Sequence, residues 1–325
     1  MSPDVDTLRQ LIQDRFPEGL TGIYAIGGTR TGYILAHNRF ADDPGHIEDF
    51  EAYMDFGMQK MFDFAERHLE FGGKHMIFEV LDIYRLHNRG ERYAQFVLES
   101  SKKLIGTKAI DFYQRNAIDP YFVGIDTLLH LPETSAAYRL GKAYDEFHQS
   151  WSYQEGRSKL IWEIAPISLF SFHHADERME EAARRDLDRK IAAETNLETI
   201  YHLLYDYYSQ AAYGTTLPMP HFYLASSRNG DIKPRTTLPF GLMTGGPMRI
   251  YTVPYPSFYM TRAGFATMLH DLVNDKRFRS LDTDYRGKMT STTAQQLYQH
   301  FTTLANDPTS TVGLSRSLDT MAKPE

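Results

Sequence analysis

The chain of 325 residues contains no cysteine. That absence rules out disulfides, zinc–thiolate sites and thiol nucleophiles. No run of about 18 apolar residues occurs, so no transmembrane helix is expected. Met1–Arg15 lacks a basic stretch followed by an apolar one, so no secretory signal is read, and the cytoplasm is the expected location. An excess of basic charge is lacking too: 35 Lys and Arg stand against 42 Asp and Glu, a formal net charge of -7. Such a balance makes a poor generic nucleic-acid binder, because neutralising phosphates needs a basic surface. Nucleic acid is not an expected partner.

Several chemical signatures are also missing. There is no G-x-x-x-x-G-K-[ST] phosphate loop, no G-x-G-x-x-G turn, no G-x-S-x-G elbow and no H-E-x-x-H. Asp42-Asp43 is followed by Pro-Gly-His, so an aspartate-rich D-D-x-x-D metal motif is absent. His173-His174 falls in a stretch read as extended. Neighbouring side chains on a strand point to opposite faces, so no shared metal is expected there.

What is present is a folded, aromatic chain. Hydrophobic residues make up 42% and charged residues 24%, the proportions of a globular protein with a sizeable core. With 21 Tyr, 20 Phe and 13 Met, two readings stand together: a bulky core, and a wide apolar pocket tipped with hydroxyls. No repeat or low-complexity linker divides the chain. Residues 1–306 are read as one domain and 307–325, rich in Ser, Thr and Pro, as a loose tail.

Strand and helix patterns alternate. Thr21–Ile26, His75–Leu81, Tyr121–Ile125, Leu160–Phe170, His221–Ala225 and Arg249–Val253 read as strands. Glu48–Phe71 reads as a helix, with Phe50, Met54, Met58, Met61, Phe62, Ala65 and Leu69 at three- and four-residue spacings. Glu91–Ile105, Glu133–His148, Asp176–Glu194, Leu197–Tyr213, Arg262–Val273 and Ala294–Ala305 complete the helices. The expected class is α/β, a mostly parallel central sheet flanked by helices. Ligands of such folds bind beyond the carboxyl ends of the strands, so the loops after Ile26, Leu81, Ile125 and Ala225 are the places to look.

Three of these loops carry anion-binding chemistry. Gly27-Gly28-Thr29-Arg30-Thr31 combines glycines that permit a sharp turn, hydroxyl donors and a planar guanidinium. Arg89-Gly90-Glu91-Arg92-Tyr93 puts two arginines at a helix start. Arg228 follows a late strand. A fourth segment, Tyr251–Met260, is an aromatic run interrupted by Pro254 and Pro256, which makes it extended. Its aromatics, Tyr255 and Tyr259 among them, read either as packing or as pocket walls.

These segments together resemble one family. Gly27-Gly28-Thr29-Arg30 is similar to the D-G-T-R loop of the tuberculosinyl transferase and kolavelool synthase group of bacterial diterpene enzymes. That group shares the cis-prenyltransferase (undecaprenyl diphosphate synthase-like) fold. Arg89–Tyr93 resembles its R-G-D-R-Y, and Tyr251-Thr252-Val253 through Ser257-Phe258-Tyr259-Met260-Thr261 resembles its Y-F-T-V-A-P-S-Y-Y-M-T. Asp271, Arg277, Phe278 and Arg279 fit the D…R-H-F-R that follows. The matched blocks run from about Thr21 to Tyr285, with diverged sequence between them.

The resemblance implies a bicyclic diterpenyl diphosphate of the labdane or clerodane class as substrate, and a homodimer as assembly. It implies diphosphate contacts at Gly28, Thr29, Arg30, Thr31, Arg89, Arg92 and Arg228. It implies active-site tyrosines at Tyr53 and Tyr93, with Arg30 assisting ionisation. Tyr53 also falls on the apolar side of its helix, where a core tyrosine would stand.

One departure matters most. Gly27 occupies the position of the family's catalytic aspartate, which holds Mg2+ or assists ionisation, and Thr31 replaces the loop's second arginine. A magnesium cofactor would need another acid, with Asp82, Glu79, Glu91 and Asp126 the candidates. The alternatives are ionisation by arginines and hydroxyls alone, or loss of catalysis. Three functional readings follow: capture of the allylic cation by water to give a tertiary alcohol, transfer of the diterpenyl group to a nucleoside such as adenosine, and a non-catalytic partner subunit of a prenyltransferase.

Overall fold

Ile23-Tyr24, Ile77-Phe78, Ile161-Trp162 and Tyr223-Leu224 are adjacent pairs in the sequence, and the computed structural model splits each pair across a central sheet. The split follows from the two-residue period of a strand, which sends successive side chains to opposite faces. Tyr24, Phe78, Trp162 and Leu224 pack beneath one layer of helices, while Ile23, Ile77, Ile161 and Tyr223 pack beneath the other. The structure describes residues 4–38, 47–81, 91–164, 167–226, 234–243, 245–246, 248–274 and 291–306. The candidates Asp82, Arg89 and Arg228, the side chain of Arg92, Arg277–Arg279, Tyr285 and the tail 307–325 lie outside the described residues.

The sheet has six strands: β1 (Leu20–Ala25), β2 (Gly73–Glu79), β3 (Ile118–Val123), β4 (Ser158–Glu163), β5 (Phe222–Ser226) and β6 (Arg249–Val253). They run in the order β3-β4-β2-β1-β5-β6. Every pairing is parallel. Strands buried on both faces need continuous apolar runs, which is what the sequence supplies. The chain moves from β1 to one side of the sheet, then crosses to the other side to form β5. The crevice between β1 and its two neighbours is therefore a switch point, where ligands bind in open parallel sheets.

The expected strands and most expected helices appear, with ends moved by a few residues. Two expectations need correction. The run Leu160–Phe170 is not one strand: β4 ends at Glu163 and Ser168–Glu177 is a helix. Pro166, which has no N–H to give a ladder, lies between them. His173 and His174 are thus helical. His174 Nδ1 lies 2.7 Å from a Glu177 carboxylate oxygen, and His173 Nε2 lies 3.9 Å from the other. Among the described residues no group of three or more His, Asp or Glu side chains is placed to hold a metal. The expected helix Asp176–Glu194 appears as Glu181–Ala193, its start moved by five residues, because Asp176 and Glu177 end the preceding helix Ser168–Glu177. Helices Val5–Arg15 and Thr107–Arg115 were not anticipated.

Several polar groups inside the core are paired. The Trp162 indole N–H donates to Tyr113 Oη at 2.9 Å, and Tyr113 donates in turn to the Leu104 carbonyl at 2.8 Å. Three histidines line the end of the sheet opposite the switch-point loops. His68 lies 2.9 Å from the Tyr24 hydroxyl and 3.2 Å from the Leu20 carbonyl. His75 Nδ1 accepts the Lys159 N–H at 3.1 Å, and His221 Nδ1 accepts the Thr21 N–H at 3.0 Å. A ring nitrogen that accepts a backbone N–H carries no proton of its own, so these two rings are neutral.

Burial is the first cause holding these histidines down, to about 4 for His68, about 3 for His75 and about 4 for His221. An unfolded histidine titrates near 6.5. Between that value and about 4 the unfolded chain takes up protons that the folded chain refuses, so stability falls as the pH falls through this window. The thermal midpoint should drop by about 5 °C or more from pH 7 to pH 4.5. His75→Asn/His221→Asn keeps an acceptor near each Nδ1 position but cannot titrate, and should lose less than half as much. Equal losses in the two proteins would remove the histidines from the account.

Candidate active site

A cavity of about 370 Å³ opens beside the carboxyl end of β1. Three elements build it. The turn after β1 contributes Ile26, Gly28, Thr29, Arg30 and Thr31. The helix Phe50–Glu70 contributes Tyr53, Met54, Gly57, Met58 and Met61. The helix Glu91–Ser101 and the turn after it contribute Tyr93, Val97, Ser100, Ser101 and Leu104. Glu79, Val80 and Phe258 complete the lining. Each helix presents residues three, four and seven or eight apart, one face of a 3.6-residue period. At about 1.5 Å per residue, the stretch from Tyr53 to Met61 spans roughly 12 Å, and Tyr93 to Ser101 the same. The two tyrosines sit toward the amino-terminal ends of their helices, while methionines, Val97 and Leu104 line the walls further along.

The turn is shaped by glycine. Gly28 has φ of 77°, a left-handed conformation that side chains disfavour, and a Cβ there would stand 2.8 Å from Pro256 Cβ. Its backbone therefore lies directly against the segment after β6. Two hydrogen bonds join the same strips of chain, and a third ties the end of β5 to the segment after β6. Ser257 N–H donates to the Gly27 carbonyl at 3.3 Å, the Tyr259 hydroxyl to the Gly32 carbonyl at 3.3 Å, and the Ser226 hydroxyl to the Tyr255 carbonyl at 2.9 Å. Gly57 lets the helix approach the turn from the other side: a Cβ there would lie 3.2 Å from Thr29 Cγ2. Thr29 is thus pressed between helix and cavity, and Arg30 is exposed at the opening.

Tyr53 is 4% exposed and packs edge-on against Tyr33, ring centroids 5.4 Å apart. Its helix starts at Asp49, whose side chain caps the Ala52 N–H at 2.8 Å. Tyr93 stacks edge-on near Phe50, centroids 6.4 Å apart. Of the sequence candidates, the structure brings Gly28, Thr29, Arg30, Thr31, Tyr53 and Tyr93 to one cavity.

Others are elsewhere. Tyr255 and Tyr259 do not line the cavity; they are 38% and 46% exposed. Ser257–Tyr259 forms one tight turn. Neighbouring side chains of such a turn diverge by about 120°, so Phe258 points inward and Tyr259 outward. Phe258 packs edge-on against Phe56 at 5.9 Å. It was hidden in an aromatic run whose facing the sequence does not reveal. Met54, Met58 and Met61 were visible as an apolar helix face, but that face looks onto a cavity rather than solid core, and all three are half-buried.

The acidic candidates do not gather at the turn. Glu79 lines the cavity, yet its Oε1 accepts from the Tyr223 hydroxyl at 3.1 Å and the Arg235 N–H at 3.0 Å. Glu91 is exposed at the start of its helix. Asp126 follows β3, the edge strand three places from β1, with Arg178 Nη1 3.7 Å from its Oδ1. Gly27 offers no carboxylate, although its backbone is not left-handed and a Cβ would meet Ser226 Cβ at 3.3 Å. An aspartate there would need only a small shift of Ser226. The Mg2+ that the sequence resemblance implies thus finds no carboxylate set at this turn among the described residues.

Comparisons with known proteins give distant likenesses among solved structures alone. No known family profile matches the sequence, and no curated protein does. Among solved structures, lavandulyl diphosphate synthase from Lavandula x intermedia, crystallised with dimethylallyl diphosphate, is 14% identical over 81% of this chain and 97% of its own, with a TM-score of 0.48. A probable undecaprenyl diphosphate synthase from Campylobacter jejuni is 13% identical over 80% of this chain and 98% of its own, with a TM-score of 0.47. Likeness at this level says nothing about the reaction. The six-stranded parallel sheet flanked by helices is read from the chain itself.

The contrast between the two glycines of the turn is testable. Gly28→Ala forces a side chain into a left-handed residue and against Pro256, and should cost about 1–3 kcal/mol. Gly27→Ala meets Ser226 at 3.3 Å from a backbone that is not left-handed, and should cost less than half as much. Denaturant titration of both variants measures this, and equal losses would contradict the packing of the turn on Pro256.

Proposed function

We propose that the chain binds the diphosphate of a long isoprenoid at Gly28–Thr31 and its hydrocarbon in the adjoining cavity. The observation that carries this is the joint presence of Thr29, Arg30, Tyr53 and Tyr93 around one methionine-walled space. Arg30 and the threonine hydroxyls offer donors for phosphate oxygens at the opening. Beyond them Met54, Met58, Met61, Val97 and Leu104 give much of the wall an apolar surface, as a hydrocarbon requires, with Ser100 and Ser101 the hydroxyls among them.

The finer reading is that of a diterpene synthase. The substrate is a bicyclic diterpenyl diphosphate of the labdane or clerodane class. The allylic C–O bond breaks, its electron pair leaves with diphosphate, and Arg30 with Thr29 and Thr31 stabilises the charge that develops on the leaving oxygens. Tyr53 and Tyr93 offer ring faces to the allylic cation, contacts worth about 0.5–2 kcal/mol each. Water adds to the tertiary carbon and its proton passes to the departed diphosphate, giving a tertiary alcohol of the kolavelool or tuberculosinol type. No step is routed through a metal. A homodimer is proposed as the assembly, by analogy with the fold alone.

Gly27 favours a second reading, a non-catalytic partner of a prenyltransferase, because it removes the acid of the resembling family. Incubation with geranylgeranyl diphosphate and with bicyclic diterpenyl diphosphates, with and without adenosine and Mg2+, separates the possibilities. Release of diphosphate with a tertiary alcohol is expected, and Arg30→Ala should reduce it about 100-fold or more with the thermal midpoint unchanged. No release from any allylic substrate would favour the partner reading, and a nucleoside adduct as main product would replace water by adenosine as acceptor.

A further inference from the structure

Glu79 and Glu163 stand side by side at the carboxyl ends of β2 and β4, where they are register partners on neighbouring parallel strands. Their Cα atoms are therefore about 4.8 Å apart and their side chains leave the same face of the sheet. Both are held by the returning segment beyond β5. Glu79 Oε1 accepts the Arg235 N–H at 3.0 Å, and Glu163 Oε1 accepts the Thr237 N–H at 2.8 Å. A tyrosine completes each contact, Tyr223 to Glu79 at 3.1 Å and Tyr213 to Glu163 at 3.2 Å. The second oxygen of Glu163 is buried with no hydrogen-bond partner, and Glu163 is only 2% exposed.

A carboxylate oxygen in that position, beside a second carboxylate, is strongly unfavourable, and a proton removes the penalty. Among the described residues, the groups facing Glu163 are Glu79 on β2, Tyr213 at the end of the helix Leu197–Tyr213, Tyr223 on β5 and Thr237 on the returning segment, with Arg235 facing Tyr223. Both tyrosines are pushed above their ordinary range, first by burial, and stay neutral. Burial, followed by the charge of Glu79, pushes Glu163 up to about 8.

The pair also touches the cavity. Glu79 and Val80 are part of its lining, and the N–H groups of Val80 and Leu81 donate to the Glu163 carbonyl at 2.9 and 3.2 Å. We propose that Glu79 and Glu163 share one proton at neutral pH, and that Glu163 is a positioning residue that fixes the segment Arg235–Leu238 and, through Glu79 and Val80, the adjoining cavity wall. Loss of the proton sets two charges against each other beneath that wall.

An unfolded glutamate titrates near 4.3. Between that value and about 8 the folded chain holds a proton that the unfolded chain has released, so the contribution to stability declines as the pH rises and levels off above the folded value. Infrared spectroscopy of the unaltered protein should show a protonated carboxyl band at pH 7 that disappears by pH 10. Its absence at pH 7 would overturn the shared proton without recourse to any variant. Glu163→Gln keeps the shape and the Oε1 acceptor but does not titrate. The thermal midpoint of the wild type should fall from pH 6 to pH 9 by at least about 4 °C more than that of Glu163→Gln. Parallel curves would refute the pair, because a merely structural role would shift the midpoint equally at every pH.

The effect on the cavity rests on the proposed diphosphate site and is read separately. Calorimetry with geranylgeranyl S-thiolodiphosphate should give at least threefold weaker binding at pH 9 than at pH 7 in the wild type, with less than 1.5-fold change in Glu163→Gln. Equal weakening in both would remove the link to the cavity wall. Failure to bind at either pH would count against the diphosphate site, and the infrared band would then decide the shared proton alone.

Discussion

The backbone of Gly28 rests on Pro256, and the candidate site depends on that contact. It joins the turn after β1 to the segment after β6, two stretches more than two hundred residues apart in the chain. The hydrogen bonds Ser257 to Gly27, Tyr259 to Gly32 and Ser226 to Tyr255 lie along the same seam. A side chain at the contact point would be strained, so the approach is set by backbone geometry. Pressed from behind by this seam and from the helix side by the gap at Gly57, the turn has one way to face: Thr29, Arg30 and Thr31 toward the cavity.

The space that results has a polar side and a largely apolar one. Arg30, exposed, and the threonines lie on the turn, and Tyr53, Tyr93, Met58, Met61, Val97 and Leu104, with Ser100 and Ser101 among them, line the two helices facing it. That division suits a molecule with an anionic head and a hydrocarbon body. Methionine suits such a wall, because its unbranched thioether adapts to irregular shapes. Beyond these walls the core is closed by stacked aromatics, with Phe62 and Phe112 rings 4.2 Å apart and Phe62 near Trp162. The parallel sheet supplies the frame, since its carboxyl ends all lie at one edge and its loops have to meet there.

Much of the frame was legible because parallel strands buried on both sides must be apolar runs, and such runs stand out between charged helices. Where one apolar run served two structures the sequence misled. Leu160–Phe170 is strand at one end and helix at the other, and only Pro166 hints at the break. The dense charges of Asp176–Glu194 hide where the helix Glu181–Ala193 starts, because a solvated face looks the same across a short interruption. At the site, the turn and the tyrosines were legible as residue types that bind anions and rings. Phe258 was not, since the facing of one aromatic among several depends on a tight turn. Glu163 was not either: a single acid at a strand end reveals neither its register partner nor the segment that buries it.

A crystal structure with geranylgeranyl S-thiolodiphosphate bound would show whether the turn after β1 seats the head group. Thiolodiphosphate oxygens are expected within hydrogen-bond distance of the Arg30 guanidinium and the Thr29 hydroxyl, with the hydrocarbon running between the helices Phe50–Glu70 and Glu91–Ser101 past Tyr53 and Tyr93. A head group seated away from the turn after β1, or a hydrocarbon lying outside the space between those helices, would contradict this placement.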